Sequence, residues 1–439
     1  MLAALLGIVV LLLTIVAILK KVEVRLAMAV GALVLGLLAG RPDQIVLTFL
    51  KELAHEAFIL PICSAMAFGF VLKKTGCDLH LVHLLVAPLR KARFFLVPGA
   101  VITGFLVNIP MISQAGTAVT LGPVLIPLLR AAGLPALTIG AAMLLGMSIG
   151  GELLNPGSPE NQIVSNSLQM PATVYVGYVS RPLLLHLVVT TLVFWLLDSR
   201  RKDPATAEAA QSETGEFKVN FLKALVPILP LVFLFLVNPP LELIPLNKSW
   251  LLAEGEKPTA ANPRLIALAM LLGTAAAMFL HPRQGSTLVV SFFEGAGHAY
   301  ATVISLIVCA VSFGKGIELL DYPSYLKEIV VDYPFLFLPL GMGIPFLFAI
   351  ACGSGIAATQ SLFPFFVEPA RVLGLEFPQV APLISLGASS GRTASPFAAV
   401  NLVTSQLTGC DSWSLAKKTL APLLAGLGTV YLFRLAGWV

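Results

Sequence analysis

Residues 2–19 form a run of 18 residues without one charged side chain, close to the ~20 needed to cross ~30 Å of hydrocarbon at ~1.5 Å per residue. Runs of this kind recur along the whole chain. They constrain it more than any motif, because backbone amides inside lipid have no water to bond and must pair within a helix. The composition agrees, with 57% hydrophobic and 12% charged residues against roughly 25% charged in an average soluble domain. The chain therefore reads as an all-α polytopic membrane protein. Its net charge of +5 comes from Lys and Arg in a few short loops, which is a topology signal and not a nucleic-acid surface. Cysteines 63, 77, 309, 352 and 410 are scattered through apolar runs and match neither a disulfide framework nor a metal-ligand spacing.

Lys20 and Lys21 follow the first run, where a cleaved signal peptide would place them before it, so the run reads as a first span. With Arg25 they put the next loop in the cytoplasm and Met1 outside. Residues 24–40 then run outward and 55–72 inward to a basic segment containing Lys73, Lys74, Arg90, Lys91 and Arg93. The amphipathic stretch 79–89 within it is expected at the membrane interface. Two apolar arms, 94–111 and 118–129, are joined by the polar residues 113–117 and have basic ends, which reads as a re-entrant hairpin from the inside. Residues 137–170 read as one crossing interrupted at 148–160, and 183–197 returns to the cytoplasm.

Residues 198–218 are polar and charged and read as a flexible cytoplasmic linker. The second half repeats the plan with 221–237, 265–280, 299–313, arms 335–351 and 357–370 meeting at Gly353-Ser354-Gly355, an interrupted crossing at 380–407, and 419–435. The expected architecture is two inverted repeats, 1–197 and 219–439, each with five crossings, one re-entrant hairpin and one discontinuous helix. Such a chain belongs in a bacterial inner membrane with both termini outside the cytoplasm.

A constant offset of 241 residues supports the repeat. It pairs Ser113 with Ser354, Pro123 with Pro364 and Arg130 with Arg371, and it lays Gly146, Ser148 and Gly150 on Gly387, Ser389 and Gly391. One deletion brings Asn155-Pro156 onto Ser395-Pro396. Inverted repeats with discontinuous helices place a binding site near the midplane, where helix N-termini and freed backbone groups face a ligand. Each N-terminus offers about half a positive charge and unpaired N–H donors. Together they favour a compact anion, and the function class is secondary transport.

The candidate substrate contacts are Ser113, Gln114, Thr117, Asn155 and Ser158 in the first half and Gly353, Ser354, Gly355, Thr359, Arg392, Thr393 and Ser395 in the second. Arg392 stands out, since a charged side chain at membrane depth usually marks a pathway and a guanidinium grips a carboxylate with two hydrogen bonds. The alternative is an internal pair with Glu152 or Glu160, which are also the coupling candidates. His55 and His298 read as structural residues at helix mouths, and Glu368 as solvated. Residues 146–150 and 387–391 both fit G-x-S-x-G, but a nucleophile needs a nearby base. No His is close in sequence, so the pattern reads as paired helix unwinding.

Cys352-Gly353-Ser354-Gly355 together with Gly391-Arg392-Thr393-Ala394-Ser395-Pro396 and the later Lys417-Lys418-Thr419-Leu420-Ala421-Pro422 resembles the DcuC-like C4-dicarboxylate carriers of the ion-transporter superfamily. The first half matches mainly through Pro156-Gly157-Ser158-Pro159-Glu160. The resemblance implies a homodimeric carrier without a cofactor or catalytic residues, whose transport domain moves as an elevator. It would carry succinate, fumarate, malate or similar dianions, by exchange or with H⁺ or Na⁺. Oxygens near Ser113, Asn155, Ser354 and Ser395 are hard ligands suited to Na⁺. Three rivals stay open: a cation/H⁺ antiporter of the same superfamily, a carrier of amino acids or other organic anions, and an intramembrane enzyme.

Overall fold

The computed structural model describes residues 2–90, 95–198 and 217–438. The expected linker at 198–218 lies outside them apart from Asp198, Phe217 and Lys218. Every regular element among the described residues is helical. Six helices are long and apolar enough to cross a membrane: Glu56–Thr75, Ala136–Ser167, Ala172–Asp198, Pro258–Leu280, Pro282–Leu319 and Pro334–Cys352. The chain is a multi-pass membrane protein.

The element order runs twice. Leu2–Leu19 and Val24–Leu38 are followed by the short helix Pro42–Glu52 and the long helix Glu56–Thr75. Phe221–Val237 and Ala261–Leu280 are followed by Gly285–Ala299 and Ser305–Leu319. Neither Pro42–Glu52 nor Gly285–Ala299 is foreseen by hydropathy as a separate element. In the second half the expected crossing at 299–313 is part of a continuous 38-residue helix, kept unbroken by a π turn at Tyr300–Ile304. The expected interface segment folds as Cys77–Val86, with Cys77, Asp78, Leu81, Val82 and Val86 buried against the rest of the protein.

One helical hairpin comes next in each half's order. Leu96–Met111 turns into Gln114–Ala131 through Ile112 and Ser113 alone, and Phe337–Cys352 turns into Gly355–Val372 through Gly353 and Ser354. The polar joint expected at 113–117 is thus too long, because Gln114 to Thr117 already make the first turn of the second arm. The reason is local: Ser113 caps the arm by accepting from the Gly116 amide, as Ser354 does from the Ala357 amide. A capping hydroxyl satisfies one of the orphan donors and lets the helix restart at once.

Each hairpin packs on an interrupted helix. The first comprises Ala136–Ser148, the 3₁₀ turn Gly151–Leu154 and Pro159–Ser167. The second comprises Phe377–Thr393 and Ala399–Thr408. Its gap is 394–398, beyond the 387–391 stretch expected to unwind, so Gly391, Arg392 and Thr393 are helical. Here G-x-S-x-G marks close approach rather than unwinding. A Cβ on Gly387 would fall 2.3 Å from the Met342 carbonyl oxygen, and one on Gly391 would fall 2.1 Å from that of Phe346. Gly146 meets the Val101 carbonyl in the same way at 2.5 Å, and only Gly150, with φ +126°, sits in a break.

Hydrophobic burial joins both hairpins, both interrupted helices and the first two helices into one core. A second cluster unites Glu56–Thr75 with Ala261–Leu280, and Ile163 of the first interrupted helix packs with Ile304, Ile307 and Val308 in a third. Gly391→Ala should lower the thermal midpoint in detergent, with a destabilisation of about 1–3 kcal/mol as expected for overpacking a tight interface. An unchanged midpoint would mean that the two helices can part freely.

Candidate functional site

Breaking a helix inside the membrane frees backbone groups that must find partners. Both breaks solve this with the same geometry. Asn155 donates from Nδ2 to the Ile109 carbonyl at 2.9 Å, and Ser395 donates from Oγ to the Ile350 carbonyl at 2.7 Å. The same two side chains accept from the backbone two residues on, at Gly157 and Phe397. A second pair locks each break from the far side. Asn161 donates to the carbonyls of Leu153 and Asn155, and Asn401 to those of Ser395 and Ser412, at 2.8–3.0 Å.

The two interrupted helices meet at Ser148. Its carbonyl, at the C-terminal end of Ala136–Ser148, accepts from Arg392 Nη2 and from the Thr393 hydroxyl, both at 2.7 Å. Ser389 in turn lies 3.3 Å from the Ile149 carbonyl. The guanidinium continues to Glu152, 2.5 Å from Nη2, and to Glu160, 3.0 Å from Nη1. A cation at a helix C-terminus and an acid in the first turn of Pro159–Ser167 both suit the helix dipoles. All three charged side chains are buried, at 6%, 0% and 3% exposure.

The network extends into the first hairpin. Asn108 donates to Glu152 at 2.5 Å, and its own Oδ1 lies 3.3 Å from the Thr117 hydroxyl. It also touches the second hairpin, where a Cβ on Gly355 would fall 3.1 Å from Arg392 Nη1 and one on Gly353 3.0 Å from the backbone of Phe397 and Ala398. Arg392 thus ties one interrupted helix to the other. Four of its five N–H donors go to Glu152, Glu160 and Ser148, an internal pairing of the kind that the sequence held as the alternative to a substrate contact. Among the described residues, Oε2 of Glu160 and Oδ1 of both Asn161 and Asn401 are buried without a protein partner.

Beside this cluster lies a cavity of about 510 Å³. Gln162, Ser165 and Asn166 line it from the first interrupted helix and Gln360 from the second hairpin, with His55 and Lys257 among its other lining residues. Glu52 holds His55 through a 2.9 Å contact, so the imidazole's pKa is raised above its ordinary 6.5 despite partial burial. Gln360 Oε1 is buried without a partner, as are the hydroxyls of Thr359 and Ser361 on the same arm.

Of the residues expected from sequence, Arg392, Glu152 and Glu160 meet directly, with Thr393 joining Arg392 at the Ser148 carbonyl and Thr117 attached through Asn108. Asn155 and Ser395 hold the breaks, Ser158 caps Pro159–Ser167, and Ser113 and Ser354 cap the hairpin arms. The oxygens expected to suit Na⁺ are therefore engaged with backbone groups. Gln114 lies half-buried in the first turn of its arm. Sequence reasoning missed Asn108, Ser148, Asn161, Asn401, Gln162 and Ser165. Asn161 and Asn401 share the spacing that relates Asn155 to Ser395, a signal that was present.

Multiple crossings, paired helix breaks and a buried polar centre define a membrane transporter. The chain belongs to the DcuC family, C4-dicarboxylate anaerobic carriers, whose family model matches residues 2–437. It is 41% identical over 127 residues to an uncharacterized transporter of Haemophilus influenzae, covering 29% of this chain and 88% of that one. It is 24% identical over 350 residues to a Vibrio cholerae protein named as an anaerobic C4-dicarboxylate transporter, covering 77% of this chain and 72% of that one. The crystal structure of the Alcanivorax borkumensis YdaH transporter shares the fold, with a TM-score of 0.57, 18% identity and 99% of each chain covered.

Removing one partner of a buried ion pair strands the others at about 3–5 kcal/mol. Arg392→Gln should therefore lower the thermal midpoint sharply, and the added change Glu152→Gln should restore part of it. Equal midpoints for the single and double variants would show that the cluster does not stabilise the fold. The raised His55 adds stability in full below pH 6.5 and loses it as pH rises through its folded-state value. The midpoint advantage of wild type over Glu52→Gln should accordingly shrink as pH rises above 6.5, and a constant difference would exclude this pair as its source.

Proposed function

We propose that this transporter carries C4-dicarboxylates of the succinate, fumarate and malate class across a bacterial inner membrane by secondary active transport. The observation that carries the reading is the meeting of two helix breaks and two hairpins at a buried charged cluster, with a cavity nearby that amide and hydroxyl side chains line in part. A pocket of this size suits a small organic anion. Its amide and hydroxyl groups offer donors to carboxylates, and Lys257 adds a positive charge, while His55 is held by Glu52, which also lines the cavity. Membership of the DcuC family supports the same substrate class.

In the finer reading the two halves are inverted repeats, the hairpins are re-entrant, and each half crosses the membrane five times with both termini outside the cytoplasm. The matching roles of Asn155 and Ser395, and of Asn161 and Asn401, support the repeat. The hairpins and interrupted helices form the moving body of an elevator. Helices such as Glu56–Thr75 and Ala261–Leu280, which pack in their own cluster, form the scaffold of a homodimer.

Transport proceeds as exchange or with H⁺ or Na⁺. Two buried carboxyl groups share one guanidinium, so with both ionised the cluster would carry one excess negative charge, and Glu160 Oε2 has no partner among the described residues. A monovalent cation there would balance it. The same excess charge favours a second reading, a cation/H⁺ antiporter.

Thermal shift of the purified protein separates the two. Succinate or fumarate should raise the midpoint of wild type and raise it less in Gln360→Leu, with Na⁺ strengthening the effect if it is the coupling ion. A response to cations with none to dicarboxylates would favour the antiporter.

A further inference from the structure

Residues 257–263 form part of the rim of the cavity of about 510 Å³, to which they supply Lys257, Thr259, Ala260, Asn262 and Pro263. One guanidinium closes this stretch at both ends. Glu256 precedes it and Arg264 follows it, and the two meet through paired contacts, Nη1 to Oε2 at 2.5 Å and Nη2 to Oε1 at 2.8 Å. Nε and Nη2 of Arg264 also reach the Glu56 carboxylate at 2.6 Å and 3.2 Å, and Nη1 donates to the Leu251 carbonyl at 2.7 Å. All five N–H donors of the fork are thereby engaged. Glu256 Oε2 accepts in addition from the Ala253 amide at 2.7 Å.

Ion pairs near the surface contribute little unless they are bidentate or networked, and this one is both. The Arg264 guanidinium holds the Glu256 carboxyl down to about 2, so the clasp stays charged across the physiological range. Its Glu56 end matters as well, because the next two residues, Ala57 and Phe58, line the cavity from Glu56–Thr75. The clasp thus ties the rim to a second part of the lining. That rim carries one cation. Lys257 is exposed and has no carboxylate partner among the described residues, since its neighbour Glu256 is taken by Arg264. Glu52 and His55 line the same space but hold each other at 2.9 Å, and the remaining lining residues are uncharged. Amides and hydroxyls hold a carboxylate or a carboxamide, whereas an ammonium favours the charged one.

We propose that Lys257 selects a dianion over a monoanion of the same shape, and that Arg264 is the positioning residue that holds Lys257 at the cavity. This rests on the reading of the cavity as the dicarboxylate site. An ammonium on a four-carbon stem is mobile, so its selectivity depends on how firmly its backbone is held. The clasp holds it from the adjacent residue, Glu256. A lysine at position 264 has no planar fork with which to grip two carboxylates, so charge alone does not replace the arginine.

The test titrates full-length protein in neutral detergent with succinate and with succinamate, in which a neutral amide replaces one carboxylate, and records the half-saturation of the thermal shift. Wild type should respond to succinate at the lower concentration. In Lys257→Gln the ratio of the two half-saturations should fall about tenfold, the factor that one hydrogen bond to a charged group is worth. Arg264→Lys and Glu256→Gln should lower the same ratio, although neither residue lines the cavity. A loss of fold stability alone would move both half-saturations together and leave the ratio as it was. Reductive methylation of wild type, which needs no variant to fold, should find Lys257 protected by succinate more than by succinamate. Lys248, held by Asn238 at 2.8 Å, serves as the internal reference. An unchanged ratio in Lys257→Gln, or labelling of Lys257 indifferent to succinate, would overturn the selecting role while succinate binding still stood. A ratio lost in Lys257→Gln but kept in both clasp variants would overturn the positioning role. Wild type that responds to neither ligand would overturn the substrate reading and this proposal with it.

Discussion

The freed backbone at the two helix breaks is the constraint on which the rest of the structure depends. A carbonyl or amide left open inside the membrane has no water to turn to, and each unsatisfied group carries a penalty of a few kcal/mol. Asn155 and Ser395 accept from amides inside the breaks, and Asn161 and Asn401 donate to carbonyls there from the helices that follow. Because Asn155 and Ser395 reach across to Ile109 and Ile350, the repair of each break is also its attachment to a hairpin. The gap, the hairpin and the pocket beside them form one unit.

Arg392 belongs to this logic as much as to ligand chemistry. It fills the open carbonyl end of Ala136–Ser148 and pulls Glu152 and Glu160 onto itself. A buried ion pair often adds little net stability over an apolar substitute, yet losing one partner is strongly destabilising. Such a cluster is better at holding two helices in one arrangement than at strengthening the fold.

Much of the architecture was legible. Uncharged runs of membrane length, basic loops between them and the offset of 241 residues placed the helices, the hairpin turns at Ser113 and Ser354, and the two interruptions. The errors were local and share a cause. Hydropathy treats Gly391 and its neighbours as too polar and flexible for a helix, whereas close contact with the Phe346 carbonyl keeps the glycine helical. Likewise the polar residues after Ser113 looked like a loop, although a capped helix tolerates them in its first turn. The cavity residues Gln162, Ser165 and Gln360 carry no motif, and nothing in their spacing along the chain shows that two distant elements bring them to one space.

What the sequence determined by itself was the solvent of the chain and the rhythm of its crossings, because both follow from the free energy of moving apolar and polar residues into lipid, one stretch at a time. What only the tertiary structure decided was which groups its charged residues at depth meet. Arg392 reads equally well in one dimension as a substrate anchor or as an ion-pair partner. Its role depends on Glu152, Glu160 and the Ser148 carbonyl arriving from more than 230 residues away in sequence, and long-range electrostatics of that kind exists only once the helices have packed.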